Sequence, residues 1–229
     1  RTLRVNAISA RGQRYTHDQG SVPAAWHRPR MAVRLATLDD VPALVPVLAR
    51  AFATDPFVSW LVRSDSRRDS GFARFFELAL RHLTIPFGEV YTNDECSGAA
   101  AWTPPGKWHI GLARQLRFVR HFAAISGWSR LVEVQLATAP LLKAHPRVPH
   151  HYLFVLGVDP EVQAKGIGRE LLAPMLAICD RDNVPAYLET AAERNLGYYE
   201  SFGFTVTGEH VIKAGPTIWF MSRVVRSGA

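Results

Sequence analysis

The spacing of apolar residues changes several times along the chain, between the alternation typical of strands and the three-to-four-residue repeat typical of helices. Leu44, Val45, Leu48 and Phe52 recur at helical spacing, whereas residues 150–158 are rich in Leu, Phe and Val, as strands are. These patterns predict strands at 33–36, 150–158, 186–189, 205–209 and 217–223, a hairpin over 87–103, and helices from about 39 to 53 and over 67–83, 108–143, 168–180 and 195–202.

Short polar residues and prolines mark the ends and irregularities of these helices. Asp39 or Asp40 is expected to cap the first helix, because a short carboxylate there can accept hydrogen bonds from the first free amides. Residues 126–127, a Ser-Gly pair, are expected to interrupt the long helical stretch. Pro174 removes the hydrogen bond to the carbonyl of Glu170, so we expect a bend within the helix that contains it.

The alternation of strands with helices after Met31 indicates an α/β protein with strands of mixed direction. We see no internal repeat and no linker that would divide 31–229, so we predict a single domain there. Hydrophobic residues make up 48% of the chain and charged residues 21%, which excludes a disordered chain. No stretch approaches the ~18 consecutive apolar residues of a membrane-spanning helix.

Residues 1–30 differ in composition from the rest of the chain. They hold six arginines against a single acidic residue, Asp18, and their apolar residues show no periodicity. We expect a leader with little fixed structure. It is interpreted as sequence upstream of a natural start at Met31, with an Arg-rich, acid-poor organelle-targeting segment as the alternative.

The net charge of +7 arises mainly from this leader. Residues 1–30 hold six of the 27 basic residues and one of the 20 acidic residues. The rest of the chain therefore has 21 basic and 19 acidic residues, which nearly balance. A groove for nucleic acid needs a clustered basic excess, so no nucleic-acid partner is expected. The two cysteines are too few for a disulfide framework or a four-ligand zinc site, which indicates a reducing, cytoplasmic compartment and no metal.

The stretch from Val158 to Arg169 carries the most informative pattern, in which a strand runs into a short loop and the loop opens a helix. Gly166 and Gly168 let the backbone approach a ligand closely. The loop amides and the helix N-terminus then point at one place, which suits a pyrophosphate. The stretch is neither a P-loop nor a dinucleotide fingerprint, because Gly-Lys-Ser/Thr and Gly-x-Gly-x-x-Gly are both absent.

Two motifs resemble the Gcn5-related N-acetyltransferase (GNAT) superfamily. Gln163-x-x-Gly-x-Gly after an apolar strand is similar to its acetyl-CoA-binding signature, and the run from Asn195 to Phe204 is similar to its Asn-x-x-x-Tyr-x-x-x-Gly-Phe hallmark. Residues 184–190 and 203–207 further resemble the puromycin-acetylating resistance enzymes of this superfamily. The resemblance implies a central mixed, twisted β-sheet with helices on both faces, and acetyl-CoA as cosubstrate.

The resemblance also implies roles for individual residues. Backbone groups of Leu156 and Val158 would pair with the pantetheine arm of the cofactor, and the loop amides would hold its pyrophosphate. Tyr199 matches the tyrosine that protonates the leaving sulfur, with a core tyrosine as the alternative, and Asn195 matches a pantetheine ligand, with a helix cap as the alternative. The implied cofactor-binding residues are Leu156, Val158, Gln163, Ala164, Lys165, Gly166, Ile167, Gly168, Arg169, Asn195 and Tyr199.

The general base is less clear from the sequence. Several relatives carry a glutamate where this chain has Tyr152, so that pattern fails. Glu189, His150 and His151 remain as candidates, together with a route through ordered water. Glu189 lies at the end of the predicted strand 186–189, beside the expected thioester. It is predicted, with Tyr199, to form the catalytic pair. A structural role for Glu189 is an equal alternative.

The predicted function is transfer of an acetyl group from acetyl-CoA to the primary amine of a small, antibiotic-like molecule by direct attack in a ternary complex. A protein N-acetyltransferase acting on a lysine or an N-terminus is the enzymatic alternative. An idle acyl-CoA-binding regulatory module is the non-enzymatic one. Neither a membrane nor a nucleic acid is expected as a partner.

Overall fold

The computed structural model describes residues 32–109 and 111–224, so the prediction of a leader at 1–30 lies outside the described residues. The strands are β1 (Val33–Leu35), β2 (Val90–Asn93), β3 (Gly98–Thr103), β4 (His151–Val158), β5 (Ala186–Thr190), β6 (Thr205–Val211) and β7 (Thr217–Arg223). The α-helices are α1 (Val41–Ala51), α2 (Pro56–Leu61), α3 (Arg68–Leu78), α4 (Leu112–Ser126), α5 (Leu131–Ala144), α6 (Ile167–Asp182) and α7 (Leu196–Glu200).

The seven strands form one mixed sheet in the order β1-β2-β3-β4-β5-β7-β6. Only β4 and β5 run parallel, with α6 as the crossover between them, and the other neighbours are antiparallel. The predicted α/β architecture with strands of mixed direction is confirmed. Within the described residues no helix is both long and apolar enough to cross a membrane.

Strand β3 shows how the sheet is covered on both faces. Ala99 and Ala101 pack with residues of α1 and α3, whereas Ala100 and Trp102 pack with residues of α6. Because successive residues of a strand point to opposite faces, these two clusters lie on opposite sides of the sheet. All four residues are fully buried, so β3 is covered on both sides, as the predicted fold requires.

The parallel pairing of β4 with β5 is short. It ends at Leu153 and Leu188, whereas β4 continues on β3 to Val158 and β5 continues on β7 to Thr190. On the β3 side the register shifts so that Phe154 is an extra residue of β4. Such a bulge bends its strand, and here it occurs where β4 loses β5 as a partner. The backbone edge of β4 after Leu153 therefore has no strand beside it on the β5 side within the described residues.

The predicted cap of the first helix was wrong, and one short helix was missed. Asp40 occupies the N-cap position of α1 but makes no capping hydrogen bond to it. Its carboxylate instead accepts from the Thr37 amide at 2.7 Å and from Arg34, whose guanidinium lowers the pKa of Asp40. Helix α2 was not predicted, and Asp55 caps it by accepting from the Val58 amide at 2.9 Å.

The remaining helices lie close to their predicted positions. The predicted break at 126–127 is confirmed, because α4 ends at Ser126 and Gly127 adopts a φ of +87°. Helix α3 ends earlier than predicted and continues as a π-helical segment over Ala79–Thr84. Helix α6 runs from Ile167 to Asp182 and contains Pro174.

Candidate active site

The loop between β4 and α6 has the local geometry of an anion cradle. Gln163 closes it by donating from Nε2 to the Val158 carbonyl at 3.0 Å. Ala164 and Gly166 have φ of +60° and +89°, and α6 begins at the next residue, Ile167. Left-handed residues in such a loop turn successive amides toward one side, and the helix N-terminus adds its partial positive charge. The sequence signature therefore coincides with two left-handed residues directly before a helix N-terminus.

The amides of this loop are available to a ligand. Within the described residues no backbone carbonyl accepts from the N–H groups of 163–168, and the side chains of 163–166 are exposed. Unpaired amides aimed at one place bind phosphate oxygens well. Lys165 and Arg169 add two cations at the same loop.

The two glycines of the loop are needed for different reasons. Gly166 has open space around it, and its φ of +89° is the conformation that side chains disfavour. Gly168 lies within α6, and a Cβ there would be 2.7 Å from the hydroxyl oxygen of Tyr198. The hydroxyl group of Tyr198 therefore lies against the first turn of α6. This contact had no signal in the sequence, because it joins α6 to α7.

A cavity with about 730 Å³ of empty space, part of it open solvent, lies where β4 and β5 part. Residues of β4, β5, α2 and α7 form its walls. It brings together four of the predicted site residues, which are Leu156, Glu189, Asn195 and Tyr199. The loop residues 163–169 do not line it, so the predicted site divides into an anion cradle at the start of α6 and a cavity beside it.

Glu189 is the central ionisable group of this cavity. Its side chain is 17% exposed and accepts hydrogen bonds from the Tyr187 hydroxyl at 3.1 Å and the Tyr152 hydroxyl at 3.4 Å. Burial raises the pKa of Glu189 to about 7, and the two tyrosine hydrogen bonds oppose that rise. A carboxyl group with this pKa is suited to accept a proton near neutral pH.

Tyr152 occupies the position on β4 where several relatives carry a glutamate, and it lies beside a carboxylate of the neighbouring strand. Its Cα is paired with that of Tyr187 across the parallel ladder, and Glu189 is two residues further on the same face of β5. The carboxylate therefore comes from the neighbouring strand, and Tyr152 donates to it.

His145 is a neighbour of Glu189 that the sequence did not reveal. Its Nε2 lies 3.4 Å from Oε1 of Glu189, and its ring stacks on Trp108 with centroids 3.9 Å apart. Burial, together with His150 and His109, lowers the pKa of His145 to about 3, so the imidazole is neutral and forms no ion pair. The contact depends on the end of α5 reaching β5, which no local pattern records.

The two histidines considered as general bases do not line the cavity. His150 Nδ1 lies 2.8 Å from the Val148 carbonyl, and burial lowers its pKa. His151 Nδ1 lies 3.2 Å from Glu89 Oε2, on the opposite face of β4 from Tyr152. Among the three residues considered from the sequence, only Glu189 faces the cavity.

Tyr199 and Asn195 both reach the cavity from the α7 region. Tyr199 is buried, and burial raises its pKa, with Tyr198 and Asp55 adding to the rise, so the phenol keeps its proton at neutral pH. Its ring also packs in the core beside α6, so the same side chain is both a core residue and part of the cavity wall. Asn195 is the N-cap residue of α7 but makes no side-chain capping bond.

Within the described residues, no group of three or more His, Cys, Asp or Glu side chains is arranged to hold a metal ion.

Comparison with known proteins relates this arrangement to acetyl transfer. The model of the acetyltransferase (GNAT) family matches residues 53–204. An uncharacterized N-acetyltransferase of Schizosaccharomyces pombe is 28% identical over 184 residues, which cover 76% of this chain and 74% of the relative. The matched residues of the family model contain both the 163–168 loop and the cavity residues Glu189 and Tyr199.

Solved structures show the same fold. The Corynebacterium glutamicum protein named histone acetyltransferase HPA2 and related acetyltransferase superposes with a TM-score of 0.66 at 22% identity, covering 87% of this chain and 98% of its own. Arylalkylamine N-acetyltransferase 2 of Aedes aegypti gives a TM-score of 0.57 at 13% identity, covering 86% of this chain and 100% of its own.

Proposed function

The chain belongs to the acetyltransferase (GNAT) family and is an acetyl-CoA-dependent N-acetyltransferase, and from this premise we propose that its acceptor is the primary amine of a small molecule. The observation that carries the proposal is the cavity at the β4–β5 gap, which holds a carboxyl group with a pKa of about 7 and a protonated tyrosine. We propose that the amine attacks directly, with both substrates bound, because one cavity contains both groups that the proton transfers need.

The residues present fit acetyl-CoA. The amides of 163–169 would hold the pyrophosphate, since those of 163–168 have no backbone partner among the described residues and Gly168 keeps the approach open. Backbone groups of Leu156 and Val158 would bind the pantetheine arm as an added strand, because β4 has no neighbour there on the β5 side. Asn195 would contribute its side-chain amide to the same arm. The bound cofactor supplies the acetyl thioester.

Glu189 would act as the general base. An alkylammonium has a pKa near that of lysine, about 10.4, so transfer of its proton to a carboxyl group of pKa about 7 is uphill by roughly three pKa units. An ordinary glutamate would face roughly six units. Burial also lowers the pKa of the ammonium ion, so the pKa difference between the amine and Glu189 becomes smaller in the cavity.

Tyr199 would act as the general acid. Its raised pKa keeps the phenol protonated at neutral pH, so an O–H donor stays beside the leaving thiolate, and the proton can pass to sulfur as the C–S bond breaks. A thiol has a pKa of about 8.5, so the thiolate is the weaker base of the two and the transfer is uphill. The amide of Leu156 would stabilise the developing oxyanion as a fixed hydrogen-bond donor. Glu189 and Tyr199 line the same cavity, so one group accepts a proton while the other donates one.

The apolar part of the cavity wall supports a small molecule over a protein as the acceptor. Its walls include buried Leu141 from α5 and buried Ile218 from β7, together with Val58 of α2. A peptide acceptor bound as an added strand needs backbone or polar partners along its length, whereas this part of the wall consists of apolar side chains.

The test is thermal unfolding with saturating acetyl-CoA, followed by CoA thiol release across a panel of amines. A ligand that binds only the folded state raises the melting temperature by mass action. Acetyl-pantetheine, which lacks the pyrophosphate, serves as control and should raise it much less. An unchanged melting temperature with acetyl-CoA would contradict the cofactor assignment. Thiol release with peptides but not with small amines would contradict the acceptor class.

A further inference from the structure

We propose that the acceptor carries one positive charge and an aryl group, with its ammonium at Glu189 and its ring against Phe57 and Phe154. This inference rests on the proposed function, since it takes the cavity as the acceptor site. It goes further because it selects one class of amine from the charges and rings of the cavity wall.

Aromatic rings form much of the cavity wall. Phe52, Phe57, Phe75 and Phe154 line it, and each is only partly buried. A half-buried phenylalanine ring leaves apolar surface exposed that an apolar ligand group can cover.

These rings are held in place from behind by other aromatic side chains. Phe75 meets Phe76 edge-on at a centroid distance of 5.0 Å, and Phe57 stacks on Trp60 at 6.1 Å. Phe154 lies 6.2 Å from Phe75. Rings fixed by such pairs need little reordering on binding, and they favour an aryl partner over an alkyl chain of similar size.

The charge of the wall indicates a single cation. Asp55 and Glu189 are the charged residues among those that line the cavity, and Lys, Arg and His are absent from that set within the described residues. Asp55 is engaged as the cap of α2, where its carboxylate accepts from the Val58 amide, and burial raises its pKa. Glu189 is therefore the group available to an ammonium.

A second cation on the acceptor would be unfavourable. Of the other polar side chains in the wall, Tyr152 donates to Glu189, and Asn195 and Tyr199 are proposed to serve the cofactor and the leaving thiolate. The phenylalanine rings, Leu141 and Ile218, which form the apolar part of the wall, offer a second ammonium no hydrogen bond. Burying a charge without a partner is costly, so a diamine should bind more weakly than a monoamine of similar size. An aryl group at the same place would instead bury apolar surface.

The experiment is calorimetric titration of the CoA-saturated protein with four amines. These are 2-phenylethylamine, hexylamine, putrescine and Nα-acetyl-lysine methylamide, which represent the aryl, alkyl, diamine and peptide classes. We expect 2-phenylethylamine to bind at least roughly tenfold more tightly than putrescine or the lysine derivative, and severalfold more tightly than hexylamine. Equal or tighter binding by any of the other three, or no binding by any amine, would overturn the inference.

Two matched variants test the role of the ring. Phe57→Leu keeps apolar volume but removes a ring from the cavity, whereas Phe122→Leu makes the same change in a partly buried residue outside it. We expect Phe57→Leu to weaken 2-phenylethylamine by roughly 3–10-fold and hexylamine by less, with Phe122→Leu close to the unchanged protein. Equal effects of the two variants would refute the ring contact.

The same samples separate this inference from the proposed function. Binding of 2-phenylethylamine without CoA thiol release from acetyl-CoA would contradict acetyl transfer to this amine class and leave the recognition proposal standing. Thiol release with putrescine and not with 2-phenylethylamine would support acetyl transfer and overturn the aryl preference.

Discussion

Replacing Glu189 by Gln removes the ionisable group of the cavity and preserves most of its shape. The amide oxygen can still accept from Tyr187 and Tyr152, so the hydrogen-bonded cluster can persist. Loss of the general base should lower turnover at neutral pH by ~10²–10⁴-fold. The wild-type rate should rise with pH around an apparent pKa near 7, and the variant should lack this rise.

The same substitution should change stability in a pH-dependent way. Burial raises the pKa of Glu189 from its usual value near 4.5 to about 7, so ionising it in the folded protein costs about 3 kcal/mol at most. The pKa of Glu189 is higher in the folded than in the unfolded protein. Its ionisation therefore does not change the free energy of unfolding of the wild type below pH 4.5, and lowers it as the pH rises to 7. Relative to wild type, Glu189→Gln should therefore gain stability between these values and keep that gain above pH 7.

Urea unfolding of both proteins at pH 5 and pH 8 measures this difference. Glu209→Gln is the matched control, because Glu209 is exposed on β6 and should show the same small effect at both pH values. An identical stability difference for Glu189→Gln at pH 5 and pH 8 would show that the carboxyl group is not buried as described. A turnover loss without that pH dependence would place the proton acceptor elsewhere.

Three further predictions concern the cradle, the acid and an ion pair. Gly166→Ala and Gly88→Ala both force a side chain into a left-handed backbone and should each cost ~1–2 kcal/mol of stability. Only Gly166→Ala should weaken acetyl-CoA binding in calorimetry. Equal affinities of the two variants would show that the loop does not bind the cofactor. Tyr199→Phe should lower kcat by roughly 10²-fold with the acetyl-CoA Kd unchanged. The control Tyr198→Phe should leave kcat near wild type. Equal kcat values of the two variants would show that Tyr199 has a structural role only. Asp40→Asn should destabilise the protein at pH 7, because the guanidinium bound to Asp40 lowers the pKa of that carboxyl group in the folded state. In urea unfolding, the stability difference from wild type should shrink as the pH falls below 3.8, the usual pKa of an aspartate. A difference that stays constant with pH would contradict this assignment.

Periodicity and local motifs were sufficient to predict the strands, most helices and the glycine-containing loop before α6. Each of these depends on interactions between residues close in sequence, as in the loop where Gly166 adopts a left-handed conformation just before α6 begins. Helix α2 escaped prediction because its six residues are too few for an apolar repeat to show. The capping of α1 was mispredicted because Arg34, on a separate strand, binds the carboxylate of Asp40.

The geometry of the cavity was decided by the tertiary structure. Glu189 obtains its raised pKa from burial and its hydrogen bonds from Tyr152 on another strand, while His145 approaches it from the end of α5. None of these contacts has a signature in the sequence, because they join segments that only the folded sheet brings together. The sequence by itself determined which candidate acid and base were present and on which elements they lay. Packing decided which of them face one cavity, because burial and proximity to distant residues set a pKa and no short motif encodes either.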